Sequence, residues 1–300
     1  MPDKKHHAIL GAGGVGGLIG AALAHSGAPV TFVVRREALP HYPKSVRLES
    51  PFGNFEVAVA SAAEVPPCDA LWLTVKATQL ESALAALTHP ESVRGIVPLL
   101  NGIDHIALLR TKYGDEKIIP ATIAVESERV APGHFIHRSV FARLNVLSNG
   151  KPLLTDALDQ LQKLGFACRF QDDEPTLMWS KLVFLSAFAL TTTASGKATG
   201  EILADPHWRA LGVGVIREAC AVAVAEGAKV DADAVIAGVM KMPGNMRSSM
   251  QKDVEQGNPP ELDAIAGPIL RGAKRHGIEV PATRELVAAV EQKVVAQLRR

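Results

Sequence analysis

Residues 7–27 read HAILGAGGVGGLIGAALAHSG: a short apolar run, a cluster of glycines, then an alanine-rich stretch that ends at Gly27. Gly11, Gly13 and Gly16 stand in G-x-G-x-x-G register. The apolar run predicts a strand and the alanine-rich stretch a helix, which is the context this motif requires. Gly11 permits a tight turn, Gly13 lets a pyrophosphate approach the backbone, and Gly16 lets the helix pack on the strand. The helix N-terminus then faces the negative charge. Gly11, Ala12, Gly13, Gly14, Val15 and Gly16 are therefore candidate dinucleotide-binding residues, and the fold to expect around them is a Rossmann-type α/β domain.

The next strand-like run, PVTFVV at 29–34, leads into Arg35 and Arg36 instead of an acid. A guanidinium there suits the 2′-phosphate of NADP, whereas NAD sites place Asp or Glu against the ribose hydroxyls. NADP(H) is the expected cofactor, held in part by Arg35; Glu37 nearby leaves a ribose contact open. Two further strand-like runs end in polar groups: ALWLTV at 70–75 precedes Lys76, and GIVPLL at 95–100 precedes Asn101 and Gly102. In an open parallel sheet the ligand crevice lies outside such carboxyl ends. Taken singly, Asn101-Gly102 also reads as a turn pair and Lys76 as an exposed lysine.

Strand and helix candidates alternate through the first half, which implies a largely parallel sheet covered on both faces. From about residue 170 the pattern changes. EPTLMWSKLVFLSAFALTT (174–192), DPHWRALGVGVIREACAVAVAEG (205–227), DAIAGPILRGAKRHG (263–277) and PATRELVAAVEQKVVAQL (281–298) read as helices, with Pro near starts and Gly near ends. The expected division is a nucleotide-binding domain at 1–172 and an all-α domain at 173–300. The intervening strands HFIHR, FARLNVL and ACRFQ are expected to finish the first sheet.

The 300 residues, 47% hydrophobic, suffice for two cores. Thirty-two basic side chains against 31 acidic ones leave a net charge of +1, with no general attraction for nucleic acid or an anionic membrane. The charged N-terminus lacks a secretory apolar core, and no apolar stretch is expected to reach the ~18–20 residues that cross a bilayer. Cys68, Cys168 and Cys220 are far apart and odd in number, which fits a reducing cytoplasm. The ten histidines show no ligand spacing, so no metal is assigned. Met240, Met242, Met246 and Met250 read as flexible packing around a mobile loop. A small-molecule substrate is expected, and a homodimer stays open.

Eight motifs taken together resemble the ketopantoate reductase (2-dehydropantoate 2-reductase) family: GAGGVGG, Arg35, VKATQ at 75–79, NG at 101, LMWSKL at 177–182, TGEI at 199–202, SSMQKD at 248–253 and ELD at 261. The resemblance spans essentially the whole chain. It implies a Rossmann domain followed by a helical domain like the C-terminal one of 6-phosphogluconate dehydrogenase. It also implies NADPH-dependent reduction of 2-dehydropantoate to pantoate for pantothenate and coenzyme A synthesis. Carried over by position, Lys181 would be the general acid, with Asn101 beside nicotinamide and substrate and Glu261 at the cofactor end of the site. Thr199 and Ser249 would hold substrate; Lys76, Arg35 and, by a looser match, Glu126 would hold NADPH.

Hydride arriving at a carbonyl carbon leaves negative charge on oxygen, so a donor aimed there is needed. A lysine fits when its surroundings lower its pKa toward neutrality. Its bland alternative is a stem that packs and a head that snorkels to water. The family's lysine helix usually bears asparagines one and two turns further on, where this chain has Leu185 and Ala189. On a helix these share roughly the face of Lys181, so that wall has become apolar. Ser186, Thr191, Thr192 or water could replace the amides. A larger, more apolar 2-oxo acid is the alternative substrate, and a non-catalytic NADP(H)-binding regulator the alternative class.

Overall fold

The computed structural model describes residues 4–298. The chain folds as two units: one runs to Leu100 and resumes from His105 to Asp172, and the other holds Asn101–Asp104 and the chain from Asp173 onward.

The first unit contains, in chain order, β1 (His7–Leu10), α1 (Gly14–His25), β2 (Val30–Val33), β3 (Ser45–Glu49), β4 (Phe55–Ala58), β5 (Ala60–Ala62) and β6 (Cys68–Leu73). It continues with α2 (Leu80–Leu84), β7 (Val93–Pro98), α3 (His105–Tyr113), β8 (Ala121–Ala124), β9 (Ser127–Ala131), β10 (His134–His137), β11 (Arg143–Leu147), α4 (Lys151–Lys163) and β12 (Ala167–Gln171). Five strands form a parallel sheet in the order β5-β2-β1-β6-β7. β1 and β2 are buried along their whole length, as strands covered on both faces must be.

The later strands do not finish that sheet. β3 and β4 form an antiparallel hairpin, and β10 joins β3 in parallel and β9 antiparallel, giving a second sheet ordered β4-β3-β10-β9. β12, β11 and β8 make a third. Among the described residues a single isolated bridge, Ile96 to Ile118, links β7 to the chain that leads into β8. In that parallel register Ile96 O accepts from Ile119 N–H, and at the next rung Pro98 has no N–H to extend the ladder.

Helix α1 explains why two sheets are needed. It is apolar all round because β1 and β2 press on one side and β3, β4, β9 and β10 on the other. Gly17 leaves the space taken by the Phe135 ring and Gly20 that taken by Phe32; a Cβ would sit 2.1 and 2.4 Å from those rings. The helix ends where Gly27 turns to φ +83, with Gly27 N–H donating to Ala24 O and Ala28 N–H to Leu23 O, the Schellman pattern.

The second unit is helical: α5 (Glu174–Ser195), α6 (Thr199–Ala204), α7 (Pro206–Ala225), α8 (Ala232–Val239), α9 (Ser249–Glu255), α10 (Leu262–His276) and α11 (Pro281–Leu298). Asp173 caps α5 by accepting from Thr176 N–H at 3.1 Å, and Gly196, at φ +75, ends it. α5 is the central helix, packed against α7, α9, α10 and α11. By length and composition it could cross a membrane: its most apolar 18-residue window has a mean hydropathy of 1.3, contrary to the expectation of no such run. That window is 67% buried, and enclosure by four other helices accounts for its apolar character.

Candidate active site

In the first unit the glycine loop divides into closed and open positions. Gly11, at φ +110, lies against Val75 and Thr74, and a Cβ there would meet the Val75 nitrogen at 2.8 Å. A Cβ on Gly16 would come within 2.2 Å of the Gly11 carbonyl, and one on Gly14 within 2.0 Å of the Ser127 carbonyl. Around Gly13, by contrast, a Cβ would meet nothing within 4 Å. Gly13 is the N-cap of α1, whose first-turn amides precede any acceptor within the helix. The result is an open backbone cradle at the positive end of a 12-residue helix, which fits a pyrophosphate. Two residues without any motif complete it. Thr74 Oγ1 donates to Gly11 O at 2.7 Å, and Ser127 Oγ to Gly14 O at 3.0 Å, so both hydroxyls hold the loop's carbonyls.

Arg35 and Arg36 follow β2 on exposed backbone, but differ in what they touch. Arg36 is bound to Glu64 at 2.6 Å, whereas Arg35 makes no ion pair among the described residues. Lys76 stands half-buried beyond β6, and Glu126 is exposed between β8 and β9, its amide donating to Ser139 Oγ at 3.0 Å.

The second unit brings Asn101, Lys181 and Glu261 into one electrostatic group. Glu261 is the N-cap of α10 and is 5% exposed. Asn101 Nδ2 donates to its Oε2 at 2.9 Å. Lys181 lies half-buried on α5, between apolar Leu177 and Leu185 one turn to either side. Burial lowers its pKa from the usual 10.5 to about 8, while the Glu261 carboxylate acts in the opposite sense. An ammonium in that range carries a proton near neutral pH and can release it.

Asn101-Gly102 is a turn, with Gly102 at φ +83, and it is more than a turn. A Cβ on Gly102 would sit 2.3 Å from the Ala264 carbonyl. That carbonyl lacks its usual helical donor, because Pro268 occupies the interior of α10 four residues later. Arg271 adds a tie from the same helix, pairing with Asp104 and, at 2.7 Å, with Asp263.

The remaining candidates are distributed differently from expectation. Leu185 is half-buried, but Ala189 lies inside the helical core at 1% exposure, away from any open surface. The hydroxyls offered as replacements for the missing amides are turned to the protein itself. Ser186 donates to Val183 O, Thr191 to Ala187 O, and Thr192 to Phe188 O or Ser248 Oγ. Thr199 is buried with its hydroxyl donating to Pro243 O, and Ser249 is exposed as the first residue of α9.

Comparison with known proteins gives the family and the fold. The profile of ketopantoate reductase PanE/ApbA covers residues 7–147, and that of the ketopantoate reductase PanE/ApbA C terminal covers 175–294. A 2-dehydropantoate 2-reductase of Mycobacterium tuberculosis (strain ATCC 25618 / H37Rv) is 31% identical over 225 residues, covering 74% of this chain and 75% of its own. An uncharacterized oxidoreductase of Bacillus subtilis, YkpB, is 28% identical over 296 residues, covering 94% and 97%. The crystal structure of a PanE/ApbA family ketopantoate reductase from Ralstonia eutropha JMP134 has a TM-score of 0.84 at 26% identity, covering 98% of this chain and 99% of that one. D-mandelate dehydrogenase with NADH and anilino(oxo)acetate shares the fold at a TM-score of 0.86 and 21% identity, with the same coverage. The chain, an oxidoreductase with a Rossmann-like unit followed by a helical one, belongs to the ketopantoate reductase family.

Proposed function

We propose that the protein reduces 2-dehydropantoate (ketopantoate) to pantoate with NADPH, a step of pantothenate and coenzyme A synthesis. The observation that carries this reading is the Lys181 ammonium, whose pKa burial lowers to about 8 against the opposing field of the Glu261 carboxylate. The Gly11–Gly16 loop and the α1 N-terminus would hold the pyrophosphate of the dinucleotide, and Arg35 its 2′-phosphate. When bound, a nicotinamide supplies the hydride. The chain supplies the proton: as negative charge grows on the substrate carbonyl oxygen, Lys181 Nζ donates to it and becomes a neutral amine. Glu261 keeps that ammonium charged until then, and Asn101 fixes the carboxylate by its hydrogen bond.

A second reading keeps the chemistry and changes the acid. Leu185 presents an alkyl side chain one turn from Lys181, where a hydroxylated substrate would need a polar partner. D-mandelate dehydrogenase shares the fold, so the fold alone does not select 2-dehydropantoate. Steady-state NADPH oxidation with 2-dehydropantoate and a panel of apolar 2-oxo acids separates the two. A higher kcat/KM for an apolar acid selects the second reading; tight NADPH binding without turnover of any of them ends both and leaves a cofactor-binding regulator.

A further inference from the structure

Among the described residues, four hydrogen bonds tie the segment 243–248 to the start of α6. Helix α6 begins at Thr199, so the amides of Thr199 and Gly200 have no acceptor within the helix. Both find one in the segment: Thr199 N–H donates to Met246 O at 3.1 Å and Gly200 N–H to Gly244 O at 2.8 Å. The Thr199 hydroxyl works in both senses, donating to Pro243 O and accepting from Met246 N–H at 3.2 Å. Gly200 and Gly244 allow backbone to lie on backbone, since a Cβ on Gly200 would be 3.1 Å from the Gly244 Cα. At the far end, Thr192 Oγ1 donates to Ser248 Oγ at 2.7 Å, and Ser248 caps α9 by accepting from Gln251 N–H at 3.1 Å.

A threonine hydroxyl has one proton, and here Pro243 takes it. The carboxylate and ketone oxygens of a 2-oxo acid only accept hydrogen bonds, so Thr199 has no donor left to offer them. We infer that Thr199 is a positioning residue: it straps the 243–248 segment to α6 and thereby places Ser249, and does not itself hold substrate. This rests on the proposed reading together with the substrate role that the family resemblance implies for Ser249.

The test pairs two readouts in Thr199→Val, Thr199→Ser and Gly200→Ala. One is the rate of tryptic cleavage after Lys241 and Arg247, both exposed; the other is KM for the 2-oxo acid against KM for NADPH and kcat. Loss of one buried hydrogen-bonding hydroxyl corresponds to about a fivefold effect. In Thr199→Val, cleavage should accelerate and KM for the 2-oxo acid should rise by about that factor, with KM for NADPH and kcat nearly unchanged; Thr199→Ser should restore both. Gly200→Ala should loosen the segment in the same way while the melting temperature holds, because alanine favours the helix. A raised KM with unchanged cleavage would place Thr199 on the substrate and overturn the inference, as would no change in either readout. Absence of turnover with every 2-oxo acid would sink the proposed function instead, and cleavage alone would then decide whether Thr199 is a strap.

Discussion

The side-chain amide of Asn101 donates to Glu261 at 2.9 Å across 160 positions of sequence. It joins a four-residue segment to the first turn of α10, and the carboxylate it holds is the one that opposes the desolvation of Lys181. A buried lysine without a partner tends to lose its proton, and one beside a fully ionised carboxylate in water would hold it too firmly. A pKa of about 8 lies between these limits. Asn101 and Glu261 are best treated as the setting that tunes the Lys181 ammonium.

Replacing Lys181 by alanine should lower kcat by about 100- to 1000-fold, the range found when a donor to a developing oxyanion is deleted. Lys181→Arg should not rescue it, because a guanidinium keeps its proton at any accessible pH. Single-turnover rates at saturating cofactor and substrate are the measurement. A loss of less than about threefold would remove Lys181 from the proton-transfer step.

The ammonium form donates, so the rate of reduction should fall as pH rises through about 8, and the reverse oxidation, which needs the free amine, should rise over the same interval. Glu261 raises the lysine's pKa, so Glu261→Gln should move both limbs to lower pH. Profiles of kcat in both directions test this. A limb that stays in place in Glu261→Gln would assign the titration to another group.

The glycine loop was legible in sequence because each glycine answers a local backbone demand, and Gly11 and Gly16 meet it as read. Asn101, Lys181 and Glu261 were legible as residue types, and only the fold gives the Asn101–Glu261 hydrogen bond and the field of Glu261 on Lys181. Thr74 and Ser127 were not legible: a hydroxyl at a strand end has no signature until the carbonyl it caps is in place. Sheet membership was misread for a similar reason. β10 pairs with β3 some 90 positions earlier, and the role of Pro98 in stopping the sheet beyond β7 emerges only from the register. The substrate role of Thr199 rests on motif position, and only the structure shows that its hydroxyl donates to Pro243 O.

Gly13 and Gly14 should respond to alanine in opposite ways. Gly13 has an extended backbone, φ −87 and ψ −165, and open space around its missing side chain, so Gly13→Ala should fold with an unchanged melting temperature. The new methyl would occupy the cradle and cost about 1–3 kcal/mol of dinucleotide binding, the scale of overpacking. In Gly14→Ala the methyl would strike the Ser127 carbonyl at 2.0 Å, so the protein itself should be destabilised by a comparable amount. Thermal melting and fluorescence titration of NADPH separate the effects. Undiminished NADPH binding by Gly13→Ala would take the pyrophosphate away from this loop.

Arg35 and Arg36 offer a test of cofactor choice with an internal control. Both are exposed, but Arg36 is paired with Glu64, so its charge is already partly compensated. A guanidinium on a 2′-phosphate makes charged hydrogen bonds of about 1.5–3 kcal/mol, reduced here by solvent and salt. Arg35→Ala should therefore weaken NADPH by about tenfold and leave NADH almost unaffected, and Arg36→Ala should change the NADPH-to-NADH ratio far less. The effect of Arg35→Ala on NADPH should shrink as salt rises, because screening already weakens the contact it removes. Dissociation constants for both cofactors, measured for wild type and both variants at low and high salt, make the comparison. Equal losses of NADPH and NADH in Arg35→Ala would show that this side chain serves a part common to both, such as the adenine ribose or pyrophosphate, and NADP preference would then lack its physical basis.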